Sequence, residues 1–218
     1  MHTVRLTGSH KTYRVGKVVC LARNYSEHIR ELGNEVPEKP VLFIKPSSSI
    51  IGQKETVVIP LYSNECHHEV ELAVLIGKWG RNIPEENAMA HVAGYGVALD
   101  MTLRDVQAEL KKKGLPWEAA KAFDTSCPLS DFVPADRIAD PHRLRISLKV
   151  NSELRQDSST ACMMRRIPAI ISEISAMFTL EQGDVILTGT PEGVGPVAAG
   201  DQLTAEIEGL GSLEVSVR

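Results

Sequence analysis

The run VELAVLI, residues 70–76, constrains the fold more than any other part of the chain. In a strand, successive side chains alternate, so Val70, Leu72, Val74 and Ile76 would face one side and Ala73 and Leu75 the other. Both faces are apolar, which requires cover on both sides of the sheet. Yet the segment opens on two carboxylates, Glu69 and Glu71, spaced to share one face. Like charges on a buried strand repel. Removing each from water costs several kcal/mol unless a partner compensates.

The rest of the chain is built from short strands with few helices. Strands are predicted at Lys17 to Leu21, VLFIKP (41–46), TVVIP (56–60), HVAGYGVALD (91–100) and DVILTGT (184–190). LRISLKV (144–150) alternates, turns at Asn151-Ser152-Glu153 and returns as a hairpin, and LTAEIEGLGSLEVSV forms a second hairpin near the carboxyl end. NYSEHIRELG predicts a helix of barely two turns, with Asn24 as cap, Glu27 three residues on and Gly33 as stop. MTLRDVQAELKKKG predicts a second, capped by Thr102, with a Leu103/Val106/Leu110 stripe and Gly114 as terminator. A third runs from Pro168 to Phe178. The expectation is a mixed β fold with short peripheral helices in a single catalytic domain over 1–218, residues 1–16 forming an N-terminal extension or strands. A βαβ repeat does not fit.

At 218 residues, 43% hydrophobic and 24% charged, the chain has the composition of a soluble globular protein. A net charge of −4 leaves no electrostatic footprint for nucleic acid. The one basic cluster, Lys111 to Lys113, closes a predicted helix and reads as a solvated end that suits the dipole. No apolar run reaches the ~20 residues of a membrane span, and the first residues lack the apolar core of a signal peptide. Cys20, Cys66, Cys127 and Cys162 lie far apart, with no CxxC, and read as small core residues in a reducing cytosol. The expected setting is cytoplasmic.

A third acid, Asp100, ends an apolar strand where a helix begins. One reading leaves Glu69, Glu71 and Asp100 at solvated strand ends. The other brings them together around a divalent cation, converting repulsion into ligation. All-oxygen ligands suit Mg²⁺, Mn²⁺ or Ca²⁺, whereas adding His67, on the same strand face, would suit zinc or iron. Spacing alone leaves both open. His28 and Glu31 are neighbours at i,i+3, either a surface ion pair or a base whose tautomer the carboxylate fixes. Lys45 and Lys121 sit among apolar residues, and Arg104 and Gln107 share a helix face. LTGTPEGVG (187–195) is glycine-rich, but its prolines exclude a Walker loop; it can offer backbone N–H groups and the Thr190 hydroxyl to a carboxylate.

Taken in order, C-x3-N-Y-x2-H-x2-E (Cys20 to Glu31), PVLFIKP, HHEVELAV, ALDMTLRDVQ, KKGLPWEAAKAFDTSCP, VNSELRQ and LTGTPEGVGP resemble the fumarylacetoacetate hydrolase superfamily. The likeness is closest to its small branch of acylpyruvases, oxaloacetate decarboxylases and oxaloacetate tautomerases. The resemblance implies a β-sandwich roll, a homodimer, and Mg²⁺ or Mn²⁺ held by Glu69, Glu71 and Asp100. It also implies a lid helix carrying the His28–Glu31 pair, and a lysine, Lys121, that stabilises an enolate. Arg23, Lys45, Arg104, Gln107 and Thr190 fall at positions that hold the carboxylate and keto oxygens of a small 2-oxo acid. The implied activity is hydrolysis of 3-acylpyruvates, with oxaloacetate tautomerisation or decarboxylation as the alternative. One departure stands out: the family's C-V-G-x-N-Y is CLARNY here. If the missing glycine served a positive φ or a close ligand approach, Ala22 would displace Arg23.

Overall fold

The computed structural model describes residues 2–31, 33 and 35–218. The Val70–Ile76 strand lies inside a six-stranded mixed sheet, in the order Val133–Pro134, Val92–Leu99, Val70–Ile76, Val185–Leu187, Lys17–Ala22 and Val41–Pro46. Every residue of Val70–Ile76 is buried. The predicted alternation holds: Val70, Leu72, Val74 and Ile76 join one apolar cluster, while Ala73 and Leu75 join another.

The first cluster is covered by a five-stranded sheet, ordered Glu153–Ser159, Arg145–Val150, Gln202–Ile207, Gly211–Val217 and Thr56–Val57. Ile146, Leu148, Leu203, Ala205, Leu213 and Val215 face inward from it. On the opposite side, the antiparallel hairpin Thr3–Arg5/Thr12–Arg14 places Val4 and Tyr13 in the second cluster. The segment read as an N-terminal extension is therefore the lid of that cluster. Each face of the central strand is matched by a separate layer. That is why its sequence is apolar apart from Glu71.

Among the described residues four α-helices lie at the periphery: α1 (Ser26–Glu31), α2 (Arg104–Lys113), α3 (Glu118–Lys121) and α4 (Ile167–Met177). Gly114 ends α2 in the left-handed region, as its sequence predicts. The expected caps differ. Asn24 does not cap α1: its amide donates to the Arg165 and Thr188 carbonyls and accepts from Arg165 N–H. It staples three segments together. Thr102 lies in a two-residue strand before α2 and donates its hydroxyl to Glu69. The Thr56 strand is also shorter than predicted, covering only Thr56–Val57. Cys162 is exposed, unlike the other three cysteines, so core packing does not account for it.

Candidate metal and oxyacid site

The two central strands deliver the acids to one point. In their antiparallel register Val70 faces Leu99 and Glu71 faces Ala98, so the next residues outward, Glu69 and Asp100, meet across the ladder. Asp100 N–H donates to the Glu69 carbonyl at 2.8 Å. Glu69 sits at the joint between the Cys66–His68 strand and Val70–Ile76 rather than within one continuous strand. Glu69, Glu71 and Asp100 are all buried, and a carboxylate oxygen from each lies within 4.8 Å of the others. His67 is not in this group: its Nε2 is 2.9 Å from Glu65.

Cations answer two of the three acids. Lys121 Nζ bridges Glu69 Oε2 at 2.9 Å and Asp100 Oδ2 at 2.6 Å. Arg104 donates to Glu69 Oε1 at 2.6 Å and, through its other nitrogen, to Gln107 at 2.9 Å. Burial alone would raise Glu69, but Lys121, Arg104 and His28 hold it below the ordinary carboxylate range. Burial also works against Lys121, yet Asp100 and Glu69 keep its ammonium more strongly protonated than usual.

Lys45 differs from expectation. Its fully buried Nζ lies 2.8 Å from Asp100 Oδ1 and donates to Ser126 Oγ at 3.1 Å and to the Lys121 carbonyl. It lies beneath Asp100 and does not line the cavity. A lysine in an apolar strand looks the same from sequence whether it faces a cavity or the back of an acid.

Glu71 is the exception among the acids. It accepts one backbone N–H, from Gly189 at 2.7 Å, and has no ion pair among the described residues. Burial, Asp100 and Glu69 all raise its proton affinity. The trio is thus short of positive charge at Glu71, and three converging oxygens are the donor set of a hard divalent ion. The residues fit Mg²⁺ or Mn²⁺. Gly189 makes the arrangement possible: its φ is +94°, and a Cβ there would lie 2.8 Å from Asn24 Cβ.

The rim closes over this floor. His28 is buried despite sitting on a six-residue helix, and its Nδ1 is 3.2 Å from Glu31 Oε2. The other Glu31 oxygen accepts Gly193 N–H at 3.0 Å, which docks α1 onto the glycine-rich loop. Thr190 is fixed from below by Gln156, whose amide donates to Thr190 Oγ1 at 2.9 Å and to the Pro191 carbonyl at 3.0 Å. Gln156 Oε1 accepts from Val70 N–H at 3.1 Å and lies 3.1 Å from His68 Nδ1. Arg23, His28, Arg104, Gln107, Lys121 and Thr190 all line the same small cavity as the three acids.

Sequence reasoning gave no site role to three further lining residues, Leu21, Lys111 and Trp117, whereas Gly189 belongs to the loop expected to offer backbone N–H groups. Lys111 has a signal, since it continues the Arg104–Gln107 face at i+7. Trp117 has none; it follows α2 in a loop and reaches the cavity only through tertiary packing. Ala22, where the family carries glycine, ends the Lys17–Ala22 strand in antiparallel pairing with Val41. The left-handed conformation belongs to Arg23, at φ 60°. Alanine therefore imposes no left-handed strain here.

Three buried carboxylates at the end of a β-sandwich, flanked by cations and a buried histidine, form a candidate site for a divalent cation beside a small oxyanion. The chain belongs to the fumarylacetoacetate hydrolase family of enzymes: residues 17–218 match the family's profile, described as fumarylacetoacetate (FAA) hydrolase C-terminal. The mouse protein named oxaloacetate tautomerase FAHD1, mitochondrial, is 53% identical over 201 residues, covering 92% of this chain and 91% of its own. Oxaloacetate tautomerase YcgM of Escherichia coli (strain K12) is 54% identical over 198 residues, covering 90% of each. The crystal structure of fumarylpyruvate hydrolase from Pseudomonas aeruginosa in complex with Mn2+ and pyruvate superposes with a TM-score of 0.95 at 39% identity, covering 99% of this chain and 95% of that one.

Proposed function

We propose that the protein is a divalent-metal-dependent oxaloacetate tautomerase, interconverting the keto and enol forms of that acid. The reading rests chiefly on the 53% and 54% identity to proteins of that name over nine-tenths of both chains. It reverses the order set by sequence, in which C–C hydrolysis of acylpyruvates came first.

Glu69, Glu71 and Asp100 would hold the cation, which supplies positive charge where an enolate oxygen develops. Arg104 and Gln107 orient the substrate carboxylate. Glu31 fixes the His28 ring through Nδ1, leaving Nε2 to take the proton from C3 in one direction and return it in the other. Lys121, whose ammonium bridges Glu69 and Asp100 at the cavity wall, is placed to exchange the enol proton at the C2 oxygen. Leu21 and Trp117 keep bulk water from the enolate.

Hydrolysis of an acylpyruvate is the second reading. It is favoured by the fumarylpyruvate hydrolase neighbour and by the same His28–Glu31 pair, which could deprotonate a water. Following the ultraviolet absorbance of enol-oxaloacetate, and separately of acetylpyruvate, with Mg²⁺ or Mn²⁺ added decides between them. Rapid loss of the oxaloacetate enol without CO₂ release, and slow acetylpyruvate cleavage, is expected. The opposite ranking would overturn the assignment.

A further inference from the structure

The basic cluster at the end of α2 divides in two. Lys112 and Lys113 are exposed, and Lys113 pairs with Glu109. Lys111 is half-buried, its ammonium 5.1 Å from the centroid of the Trp117 indole, and it lines the cavity. It stands two turns beyond Arg104 on the same helix face, a rise of about 10 Å at ~1.5 Å per residue. The ladder Arg104, Gln107, Lys111 thus runs from the acid trio to the cavity mouth.

No ion pair reaches Lys111 among the described residues, and the acids of the cavity are already committed. Glu69 is held by Arg104 and Lys121, Asp100 by Lys121 and Lys45, and Glu31 lies beside His28. Glu71 lies on the floor, short of a cation of its own. Arg23, Arg104 and Lys121 face the same space as Lys111. Burial, and then those three cations, lower the Lys111 ammonium to about 8. Lys111 therefore adds a positive charge to a cavity already lined by other cations, with no ion pair of its own among the described residues. An exposed helix end would not need to accept that repulsion; a site awaiting an anion would.

We infer that Lys111 reads the second carboxylate of the substrate and so selects dicarboxylic 2-oxo acids over monocarboxylic ones. This rests on the 2-oxo acid reading above and adds the residue that sets substrate class. The substrate's first carboxylate lies toward Arg104, and the distal one meets the Lys111 ammonium and the Trp117 edge. A charge-assisted contact of this kind is worth about tenfold or more in affinity.

Two ligands of equal chain length test it. With Mn²⁺-loaded protein, titration calorimetry compares 2-oxoglutarate with 2-oxopentanoate, which lacks only the distal carboxylate. Wild type should prefer the diacid by about tenfold. Lys111→Met should remove most of that preference while 2-oxopentanoate affinity changes less than about twofold, and Lys111→Arg should restore it. In parallel, Lys111→Met should raise KM for oxaloacetate about tenfold, more than it lowers kcat. Equal affinities in wild type, or equal weakening of both ligands in the variant, would overturn the inference. Because binding is read directly, a protein that fails to turn over oxaloacetate still decides the role of Lys111.

Discussion

The floor and the rim of the cavity are built on opposite plans. The floor is the paired end of two central strands, and its acids are each 4% exposed or less. Backbone register, two buried lysines and the half-buried Arg104 fix it before anything binds. The rim is a six-residue helix, the glycine-rich loop and one face of α2, joined by single hydrogen bonds such as Glu31 to Gly193. A helix of that length is not stable alone in water and owes its place to docking. Charge is concentrated in the rigid part, and the proposed proton transfer and selection fall to the adjustable part. Preorganised charge stabilises a developing enolate without reorganisation, whereas an adjustable lid allows entry and exit.

The largest expected effect comes from striking the floor. Glu71→Gln should abolish Mn²⁺ binding and cut turnover by at least ~10³-fold, in the range seen when a preorganised charge is removed. The metal-free variant should be at least as stable as wild type, because a crowded buried acid has been replaced by a neutral isostere. Thermal melts with and without Mn²⁺ read both. A variant that still gains stability from Mn²⁺ would mean the ion is held elsewhere.

Striking the rim should leave the metal in place. His28→Ala is expected to lower tautomerase turnover by about 10²–10⁴-fold, the usual contribution of a positioned acid–base group, with Mn²⁺ affinity within a few-fold of wild type. Loss of the metal in this variant would dissolve the distinction between the two regions.

Gln156 joins them, so its removal tests how tightly they are coupled. Gln156→Ala strands Val70 N–H and frees Thr190, which should cost about 3 kcal/mol of stability. Urea denaturation reads the loss. A change below about 1 kcal/mol would show that the loop holds its place without this amide.

The smallest effect concerns acid. His68 is buried beneath the site; burial lowers it to about 4, and its Nε2 has no hydrogen-bond partner among the described residues. Below the ordinary histidine pKa of 6.5, the unfolded chain takes up a proton that the folded protein refuses. Stability attributable to His68 is therefore full above that value and falls as the pH drops toward 4, by about 2 kcal/mol at pH 5. His68→Gln should flatten that part of the stability profile. An unchanged slope would assign the acid sensitivity to other groups.

What was legible in the sequence follows the same division. The floor could be read because two glutamates opening a doubly apolar strand are anomalous, and an anomaly demands a partner. Glu69, Glu71 and Asp100 converge as that logic requires. The strands could also be read, since alternation and proline punctuation are local. The caps were misread because Asn24 and Thr102 satisfy local rules while serving distant partners, the Arg165 segment and Glu69. Lys45 and Lys111 show the same limit in opposite directions. The family resemblance placed Lys45 at the ligand, and a run of lysines made Lys111 look solvated. For Lys45 the deciding neighbour, Asp100, lies far away in the chain; for Lys111 it is Trp117, six residues on but beyond the end of the helix.

Arg23 carries its guanidinium on a backbone turned to the side that non-glycine residues avoid, at a cost of order 1 kcal/mol. Residues on either side hold it there: Ala22 by its pairing with Val41, Asn24 by its staple to Arg165 and Thr188. Selection for thermal endurance alone would favour glycine at this place, and the resulting protein would melt later yet grip its ligand less well. The turn at residue 23 is thus a small, standing sacrifice of robustness, which on the proposed reading fixes a donor at the mouth of the cavity.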